Sequence, residues 1–284
     1  MKKKEIIAFQ GELGAFSHQA AIQFLDDKIS LLPCERFEQV FQAVKDGRAT
    51  GAALPIENTL HGSVHENYDH LLNFDLVITE ELHLRIVHNL IAVPGVKFSD
   101  LKRVYSHPVA LNQCLKLLAN NPQIEKQTFY DTAGSVKMIM EKKPQDAAAI
   151  ASHVAAETYG AKILKKSIED DRENHTRFFL LRKSGYKQKP IESQAKTSVV
   201  FTTSNSPGAL FRALGALALR DISVAKIESR PMRGRPWEYL FYLDFYGNIE
   251  EARVKNALSH LGELADFLRV LGCYPAARQK KSKP

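Results

Sequence analysis

Apolar and polar residues alternate along the chain in two different rhythms. Short apolar runs, the first at residues 6–9, are followed by segments such as 16–25 and 37–44, in which apolar residues fall on one helical face. The second of these segments leads into a short apolar strand at 51–54 that stops at Pro55. Strand-length runs that alternate with helical segments predict βαβ units and a largely parallel sheet.

More strands follow the same rhythm as far as residue 181. They are predicted at 76–78, 90–93, 104–106, 147–150 and 178–181. Alternation of hydrophobic and polar residues over 82–87 indicates a longer strand that passes between two lobes. We therefore predict an α/β region of two lobes, like those of periplasmic binding proteins, around a cleft.

The sequence changes character after residue 182. The stretch 183–196 is polar and has neither period, so we predict a linker there. The remaining pattern is a strand at 197–201, a helix at 207–220, strands at 223–229 and 238–246, a helix at 250–261 and a strand at 267–271. This βαββαβ order is that of an α+β ferredoxin-like domain. The predicted divisions are a catalytic region at 5–182, the linker, a second domain at 197–274 and a basic tail at 275–284.

The charge of the chain is concentrated at its ends. The formal net charge of the 284 residues is +7, and the pI is about 9.2. Residues 2–4 carry three positive charges and residues 278–283 carry four, which leaves the rest formally neutral. A nucleic-acid-binding surface needs basic residues clustered on a folded element. We therefore predict solvated, disordered ends and no nucleic-acid partner.

Three features predict a location in the cytoplasm. The apolar run at 6–9 is too short for the core of a signal peptide, although lysines precede it. No apolar run approaches the roughly 20 residues of a membrane helix, so we predict no membrane contact. Cys34, Cys114 and Cys273 are odd in number and lack CxxC spacing, which favours free thiols in a reducing compartment.

Three turns end predicted strands and open predicted helices with small or hydroxylated residues. They lie at 14–17, 106–108 and 131–135, and they include Ser17, Ser106, Asp131, Thr132 and Ala133. Ser106 and Asp131 are suitable N-cap residues, and Pro108 suits a first helical turn. Helix N-termini gathered at one edge of a sheet attract anions. Ordinary capping explains each turn as well, and the sequence leaves both interpretations open.

Two further segments place polar residues at strand ends. Glu57 and Asn58 follow the strand at 51–54, where open α/β sheets bind ligands, although these residues can equally stabilise a turn. In the segment 174–178, Arg177 can bind a carboxylate, and the Thr176 hydroxyl can form a hydrogen bond that shares a proton. Neither segment by itself identifies a function.

The sequence offers no pattern for a metal or a cofactor. His61, His65 and His70 lie close together, but they lack HExxH spacing and a nearby cysteine. The turn at 11–14 lacks the third glycine of a dinucleotide motif and the lysine of a P-loop. A Gly-x-Ser-x-Gly elbow is also absent from the sequence. We therefore predict no cofactor, no metal and no serine triad.

The second domain contains one strand-to-helix turn of interest, at residues 205–211. Asn205 or Ser206 would cap the helix, and Gly208 would allow close approach of the backbone. Residues 228–231 end the next predicted strand. These features by themselves are a helix cap and a strand end.

Taken together, the segments resemble the prephenate dehydratase family from Ile6 to Leu181. The resemblance is carried, in order, by residues 9–17, 55–64, 106–114, 148–152 and 168–178. It implies decarboxylating dehydration of prephenate to phenylpyruvate, a step of phenylalanine biosynthesis that needs no cofactor. It also implies an essential hydroxyl at Thr176. The other implied active-site residues are Glu57, Asn58, Ser106 and Gln113, with Arg177, Phe178, Ser17, Thr132 and Ala133 in substrate binding.

The second domain resembles a phenylalanine-binding ACT domain. The resemblance implies that L-phenylalanine binds where two copies of the domain meet and inhibits the enzyme, so a homodimer or homotetramer is expected. The implied binding residues are Asn205, Pro207, Gly208, Ala209, Leu210, Glu228, Ser229, Arg230 and Pro231. Tyr246 stands where these domains commonly have an acidic residue. No chorismate mutase segment precedes Ile6, so a monofunctional enzyme is expected.

Two other functions are compatible with these residues. Arogenate dehydratases perform the same elimination on the aminated substrate, and residues 67–69 and 131–134 resemble that branch. A non-catalytic amino-acid sensor would share the fold but would have no need of the Thr176 hydroxyl. Thr59 and Ala15 are mild departures from the family pattern.

Overall fold

The computed structural model describes residues 4–26, 28–232, 234–235 and 237–277. Residues 2–3 and 278–283, which carry most of the charge assigned to the two ends, lie outside the described residues. The chain forms two compact units. The first contains the described residues up to His70 together with Leu82–Phe179, and the second contains Leu71–Glu81 and the described residues from Leu180 onwards. The boundaries inferred from the sequence stay a prediction.

The first sheet is mixed rather than largely parallel. Its strands are β1 (Ile6–Gln10), β2 (Ser30–Cys34), β3 (Gly51–Asn58), β4 (Gly62–Ser63), β5 (Leu76–Arg85) and β11 (His175–Lys183). Their order is β2-β1-β3-β11-β5, and β4 pairs with β3. Strand β1 is parallel to β2 and β3, whereas β4 is antiparallel to β3. The accompanying helices are α1 (Phe16–Leu25), α2 (Phe37–Lys45) and α3 (His65–Asn73).

The second sheet forms the other predicted lobe, and it is also mixed. Its strands are β6 (Asn89–Ala92), β7 (Arg103–Ser106), β8 (Glu125–Thr128), β9 (Ala147–Ala151) and β10 (Lys162–Lys165), in the order β10-β6-β9-β7-β8. Strand β7 is parallel to β8 and β9, and β6 is antiparallel to β9 and β10. Its helices are α4 (Pro108–Asn112), α5 (Leu115–Ala119), α6 (Thr132–Lys142) and α7 (His153–Tyr159), with a 3-10 turn at Phe98–Asp100.

The core of the second lobe depends on small residues in its central strand. All five residues of β9, four alanines and Ile150, are buried. Short side chains on both faces let helix α6 pack close to the strand, with Val136 and Ile139 in the same apolar cluster.

Several strands differ from the sequence-based expectation. The strands at 76–78 and 82–87 are replaced by one strand, β5. Strand β3 continues through Pro55. Proline has no amide hydrogen, but the pairing of β3 with β1 ends at Ala52, so Pro55 removes no hydrogen bond to β1. Strands β2, β8 and β10 were not expected from the sequence. They lie at sheet edges, where Pro33 and polar sequences such as Glu-Lys-Gln-Thr are tolerated.

The second unit confirms the predicted βαββαβ order. Its elements are β12 (Ala195–Thr202), α8 (Ala209–Ala218), β13 (Val224–Pro231), β14 (Tyr239–Tyr246), α9 (Ala252–Leu264) and β15 (Phe267–Pro275). The antiparallel sheet has the order β13-β14-β12-β15. Val199, Phe201 and Phe245 pack with residues of α8 and α9 such as Ala213 and Leu261 in one core.

Residues 71–81 belong to the second unit through specific contacts. Two carbonyl oxygens, of Leu72 and Phe74, accept hydrogen bonds from the Arg269 guanidinium at 3.0 and 2.9 Å. A Cβ at Gly272 would lie 2.3 Å from the Ile78 carbonyl oxygen, so β15 approaches this segment more closely than a side chain permits. Among the described residues, no helix is long and apolar enough to cross a membrane.

Candidate active site

A cavity of about 310 Å³ lies within the first unit. It is lined by Gln10, Ala15, Phe16, Ser17, Pro55, Asn58, His61, Gly62, Ser63, Val64, Ile86, His88, His107, Val109, Ala110, Gln113, Asp131, Thr132, Thr176 and Phe178. Both lobes contribute to this wall. None of these described residues is a lysine or an arginine. A negatively charged ligand here would have to be held by hydrogen-bond donors, helix N-termini or protonated imidazoles.

Side chains of β11 alternate between the two faces of the sheet, and this alternation decides which of its residues reach the cavity. Thr176 and Phe178 line it, and both are buried. Successive side chains of a strand point to opposite faces, so Arg177 lies on the other face. There its guanidinium carbon is 4.6 Å from the centre of the Phe179 ring.

The Thr176 hydroxyl is held by Asn58, the last residue of β3. Asn58 Nδ2 donates to Thr176 Oγ1 over 2.9 Å and lies 2.8 Å from Asn174 Oδ1. Asn58 Oδ1 accepts from the backbone amides of Leu60 and His61, each at 3.0 Å. The amide orientation is therefore fixed at both ends. Because a hydroxyl has one hydrogen and two acceptor sites, the Thr176 hydrogen stays available for a ligand.

A second chain of hydrogen bonds crosses the cavity wall. Gln113 Nε2 lies 3.1 Å from His61 Nδ1, and Gln113 Oε1 lies 2.7 Å from His88 Nε2. An amide oxygen only accepts, so Nε2 of His88 carries its hydrogen in the contact with Gln113. His88 is only 2 % exposed, and its Nδ1 atom is buried without a hydrogen-bond partner in the described part of the chain.

The backbones behind this chain are anchored by two acidic residues. Glu169 Oε2 accepts from the His88 amide at 3.0 Å, and Glu169 Oε1 pairs with Arg85 Nη2 at 2.8 Å. The amide of Asp170 donates to the Gln113 carbonyl oxygen over 2.7 Å. The segment before β11 thus fixes the backbones of His88 and Gln113, whose side-chain atoms Nε2 and Oε1 lie 2.7 Å apart.

The three predicted turns do meet at the cavity, with one correction to their caps. Asp131 caps α6 by accepting from the Gly134 amide at 2.7 Å. The N-cap of α4 is His107, not Ser106. Ser106 belongs to β7, and its hydroxyl donates to the Ile150 carbonyl oxygen at 2.6 Å. The start of α1 contributes Ser17.

Burial shifts the pKa values of three groups at the cavity. Desolvation lowers the pKa of His88, and the neighbouring Gln113 and Glu169 offset this only in part. Desolvation also lowers the pKa of His107, against the attraction of Asp131. Desolvation raises the pKa of Asp131, against the hydrogen bond from Gly134. In each case burial favours the neutral form of the group.

Comparison with known sequences places this arrangement in a family. The sequence pattern described as prephenate dehydratase matches residues 7–186. The chain belongs to the prephenate dehydratase family. A family relative in Arabidopsis thaliana, arogenate dehydratase/prephenate dehydratase 1, is 44% identical over 95% of this chain and 71% of its own length. Arogenate dehydratase 2 of Petunia hybrida is 43% identical, with coverage of 95% and 71%.

Solved structures agree with this fold along nearly the whole chain. Prephenate dehydratase from Arthrobacter aurescens, in complex with L-Phe, has a TM-score of 0.87 and 30% identity, covering 98% of this chain and 91% of that one. GqqA, described as a novel type of quorum quenching acylase, has a TM-score of 0.88 and 35% identity, with coverage of 95% and 98%.

The residues implied by the family resemblance divide into two sets. Those that line the cavity are Asn58, Gln113, Thr176, Phe178, Ser17 and Thr132. Those that do not line it are Glu57, Ser106, Arg177 and Ala133. Glu57 pairs with Ser63 across β3 and β4, and Ala133 is fully buried in the core of the second lobe. Their predicted roles in catalysis and substrate binding stay predictions.

Three histidines line the cavity, His61, His88 and His107, and the sequence analysis did not identify them as a group. His61 was weighed only as a metal ligand, and His107 appeared only as part of a turn. His88 and Asn89 separate the apolar pair Ile86 and Val87 from the apolar run that begins at Leu90, and polar residues at such a position are a signal that could have identified His88. Within the described residues, no group of three His, Cys, Asp or Glu residues could hold a metal ion.

The predicted effector residues of the second unit are only partly together. Asn205, Ala209 and Leu210 line a small cavity of about 120 Å³ with Trp237. Residues 228–231 do not line this cavity and belong to β13. The helix cap also differs from expectation. Gly208, with φ of +76°, is the N-cap of α8, so neither Asn205 nor Ser206 caps it.

Proposed function

We propose that the chain catalyses the decarboxylating dehydration of prephenate to phenylpyruvate. Prephenate carries a ring carboxylate, a pyruvyl group with a second carboxylate, and a ring hydroxyl. Loss of carbon dioxide leaves an electron pair that enters the ring as hydroxide departs, and aromatisation drives the reaction. The protein has to hold two carboxylates and supply a hydrogen-bond donor to the departing oxygen.

The hydrogen bond between Asn58 and Thr176 supports this proposal most directly. Because Asn58 occupies one acceptor site of Oγ1, the Thr176 hydroxyl can direct its hydrogen towards the cavity. A donor fixed before the ligand binds requires little reorganisation as charge develops on the leaving oxygen. Phe178, two residues along the same face, offers an apolar surface beside the ring.

Helix starts and hydroxyl groups are the means of binding the carboxylates. The N-termini of α1 and α6 both reach the cavity, and each favours a nearby anion by about 0.3–1 kcal/mol. Ser17 and Thr132 add hydroxyl donors at these two starts. The reaction needs no cofactor in this scheme.

Arogenate is the second candidate substrate, and the relatives named above as arogenate dehydratases favour it. The two substrates share the ring, the hydroxyl and both carboxylates, and they differ only where a keto group is replaced by an ammonium group. Elimination from arogenate gives L-phenylalanine directly. The cavity wall contains an acceptor for an ammonium group in the carboxyl group of Asp131.

Incubation of purified protein with each substrate separately tests the proposal. Phenylpyruvate is followed by absorbance and phenylalanine by chromatography. We expect product from at least one substrate, and the ratio of the two kcat/KM values assigns the preference. No product from either would leave the non-catalytic amino-acid sensor as the better explanation.

We further propose that L-phenylalanine inhibits the enzyme through the ferredoxin-like domain in a homodimer or homotetramer. The L-Phe complex of the Arthrobacter relative and the small cavity at Asn205 support this proposal. A coupling of about 1–3 kcal/mol would lower the apparent substrate affinity five- to 150-fold. Kinetics unchanged by millimolar phenylalanine would contradict it. A cytoplasmic location stays a prediction.

A further inference from the structure

His88 combines three properties that the mechanism above does not use. It lines the cavity, it is almost completely buried, and its Nδ1 atom has no hydrogen-bond partner in the described part of the protein. Buried polar atoms without a partner are rare, and each is costly unless a ligand satisfies it. The ring cannot turn to relieve this without losing the 2.7 Å contact between Nε2 and Gln113 Oε1.

The lack of lysine and arginine among the described residues of the cavity wall gives Nδ1 of His88 a role. A dicarboxylate ligand brings two negative charges into a cavity whose described lining residues include no lysine or arginine. Helix N-termini supply only partial charges, and burial of an uncompensated carboxylate is expensive. The side chains here that can acquire a full positive charge at moderate pH are imidazoles.

We propose that His88 takes up one proton at Nδ1 when a dicarboxylate ligand enters the cavity, so that its imidazolium ion balances one of the two carboxylates. The proton comes from the solvent buffer, and Nε2 keeps its hydrogen bond to Gln113 throughout. This inference rests on the proposed function, because it needs a ligand with two carboxylates. Burial lowers the pKa of His88, which favours the neutral imidazole before a ligand binds.

Other ionisable groups surround this position and have to be separated from it. They are His61 on the turn after β3, His107 and Asp131 at the starts of α4 and α6, and Glu169, Asp170 and Arg85 behind the His88 backbone. Glu169 is already paired with Arg85 and bonded to the His88 amide. His107 is the matched control, because it also lines the cavity and burial lowers its pKa as well.

Calorimetry measures proton uptake directly. Thr176→Ala protein, chosen because its turnover is expected to be about 10²–10⁴-fold slower, is titrated with prephenate and with arogenate in two buffers of different ionisation enthalpy at pH 7.5. We expect roughly one proton taken up per ligand, and a dissociation constant that rises about tenfold per pH unit while uptake stays near one. His107→Gln in the same background should keep the uptake.

Two substitutions of His88 separate charge from positioning. Glutamine places its amide near the former Nε2 and can keep the contact with Gln113, whereas asparagine reaches only the position of Nδ1. Both should abolish proton uptake. If His88 serves only to position Gln113, protein with His88 intact would take up no proton on binding the ligand, or His88→Gln would take up as many protons as that protein. Either result overturns the inference.

Turnover by the wild-type protein in the same buffers tests the proposed function separately. An inactive wild-type protein contradicts the proposed function, and the inference with it. An active wild-type enzyme whose ligand binds without proton uptake contradicts this inference alone.

Discussion

Two groups of buried polar side chains, one in each unit, have different kinds of surroundings. In the first unit, the buried side chains of Thr176, Gln113 and His88 border a cavity together with the half-buried Asn58, and the Nδ1 atom of His88 lacks a partner among the described residues. In the second unit, Lys196 Nζ lies 2.6 Å from Glu81 Oε1, with side chains only 7% and 1% exposed. No atom of that ion pair belongs to the buried, unpartnered atoms of the described chain.

The second unit also closes a network around Ser198 in the centre of its sheet. Ser198 Oγ contacts Asp244 Oδ1 at 2.5 Å and the Tyr274 hydroxyl at 2.6 Å, and Tyr274 is fully buried. Satisfied polar groups of this kind fix one packing arrangement. Polar groups left open beside a cavity are costly to folding and are retained where a ligand completes them. Substitutions in the first group should therefore affect turnover, and those in the second should affect stability.

The largest effect is expected from Thr176→Ala. Loss of a hydroxyl that takes part in proton transfer lowers kcat by about 10²–10⁴-fold. The fold should survive, since Asn58 Nδ2 keeps Asn174 Oδ1 and the His175 carbonyl oxygen as acceptors. Steady-state kinetics and a thermal melt measure the two effects. Thr176→Ser keeps the hydroxyl and is the matched control, and near-normal turnover of the alanine variant would remove Thr176 from the chemistry.

In the second unit, Lys196→Met should mainly reduce stability. Removing one partner leaves Glu81 buried beside the Ala277 amide, and breaking a buried pair costs about 3–5 kcal/mol. Denaturant unfolding measures this loss. The double variant Lys196→Met with Glu81→Leu removes both charges and should regain most of it. A single variant as stable as the wild type would show that the pair contributes little.

The same contrast explains what could be read from the sequence. Apolar periodicity was sufficient for the two-lobed fold and for the βαββαβ order, because buried faces dictate it. Family motifs pointed to Asn58, Gln113 and Thr176, which the structure brings to one cavity. Edge strands such as β8 were not predicted from the sequence, because a strand that is largely exposed needs no apolar pattern. The face on which Arg177 lies follows from strand register, which a motif does not encode.

The smallest effect concerns the cap of α6 and its dependence on pH. Burial raises the pKa of Asp131, so its contribution to stability is greatest below the unfolded value, near 3.8, and is lost as the pH rises through the folded pKa. Asp131→Asn cannot ionise but can still accept from the Gly134 amide. Its free energy of unfolding should therefore rise relative to the wild type as the pH increases above about 4, by at most about 1.4 kcal/mol per pH unit.

Asp131→Ala is the matched control for this last prediction, because it removes the cap itself. It should cost about 1 kcal/mol of stability relative to Asp131→Asn at every pH. Urea unfolding of the three proteins at several pH values separates the charge from the hydrogen bond. If the wild type became more stable than Asp131→Asn as the pH rises, the carboxylate would be favoured in its ionised form, and the wall of the cavity would be more polar than its burial indicates.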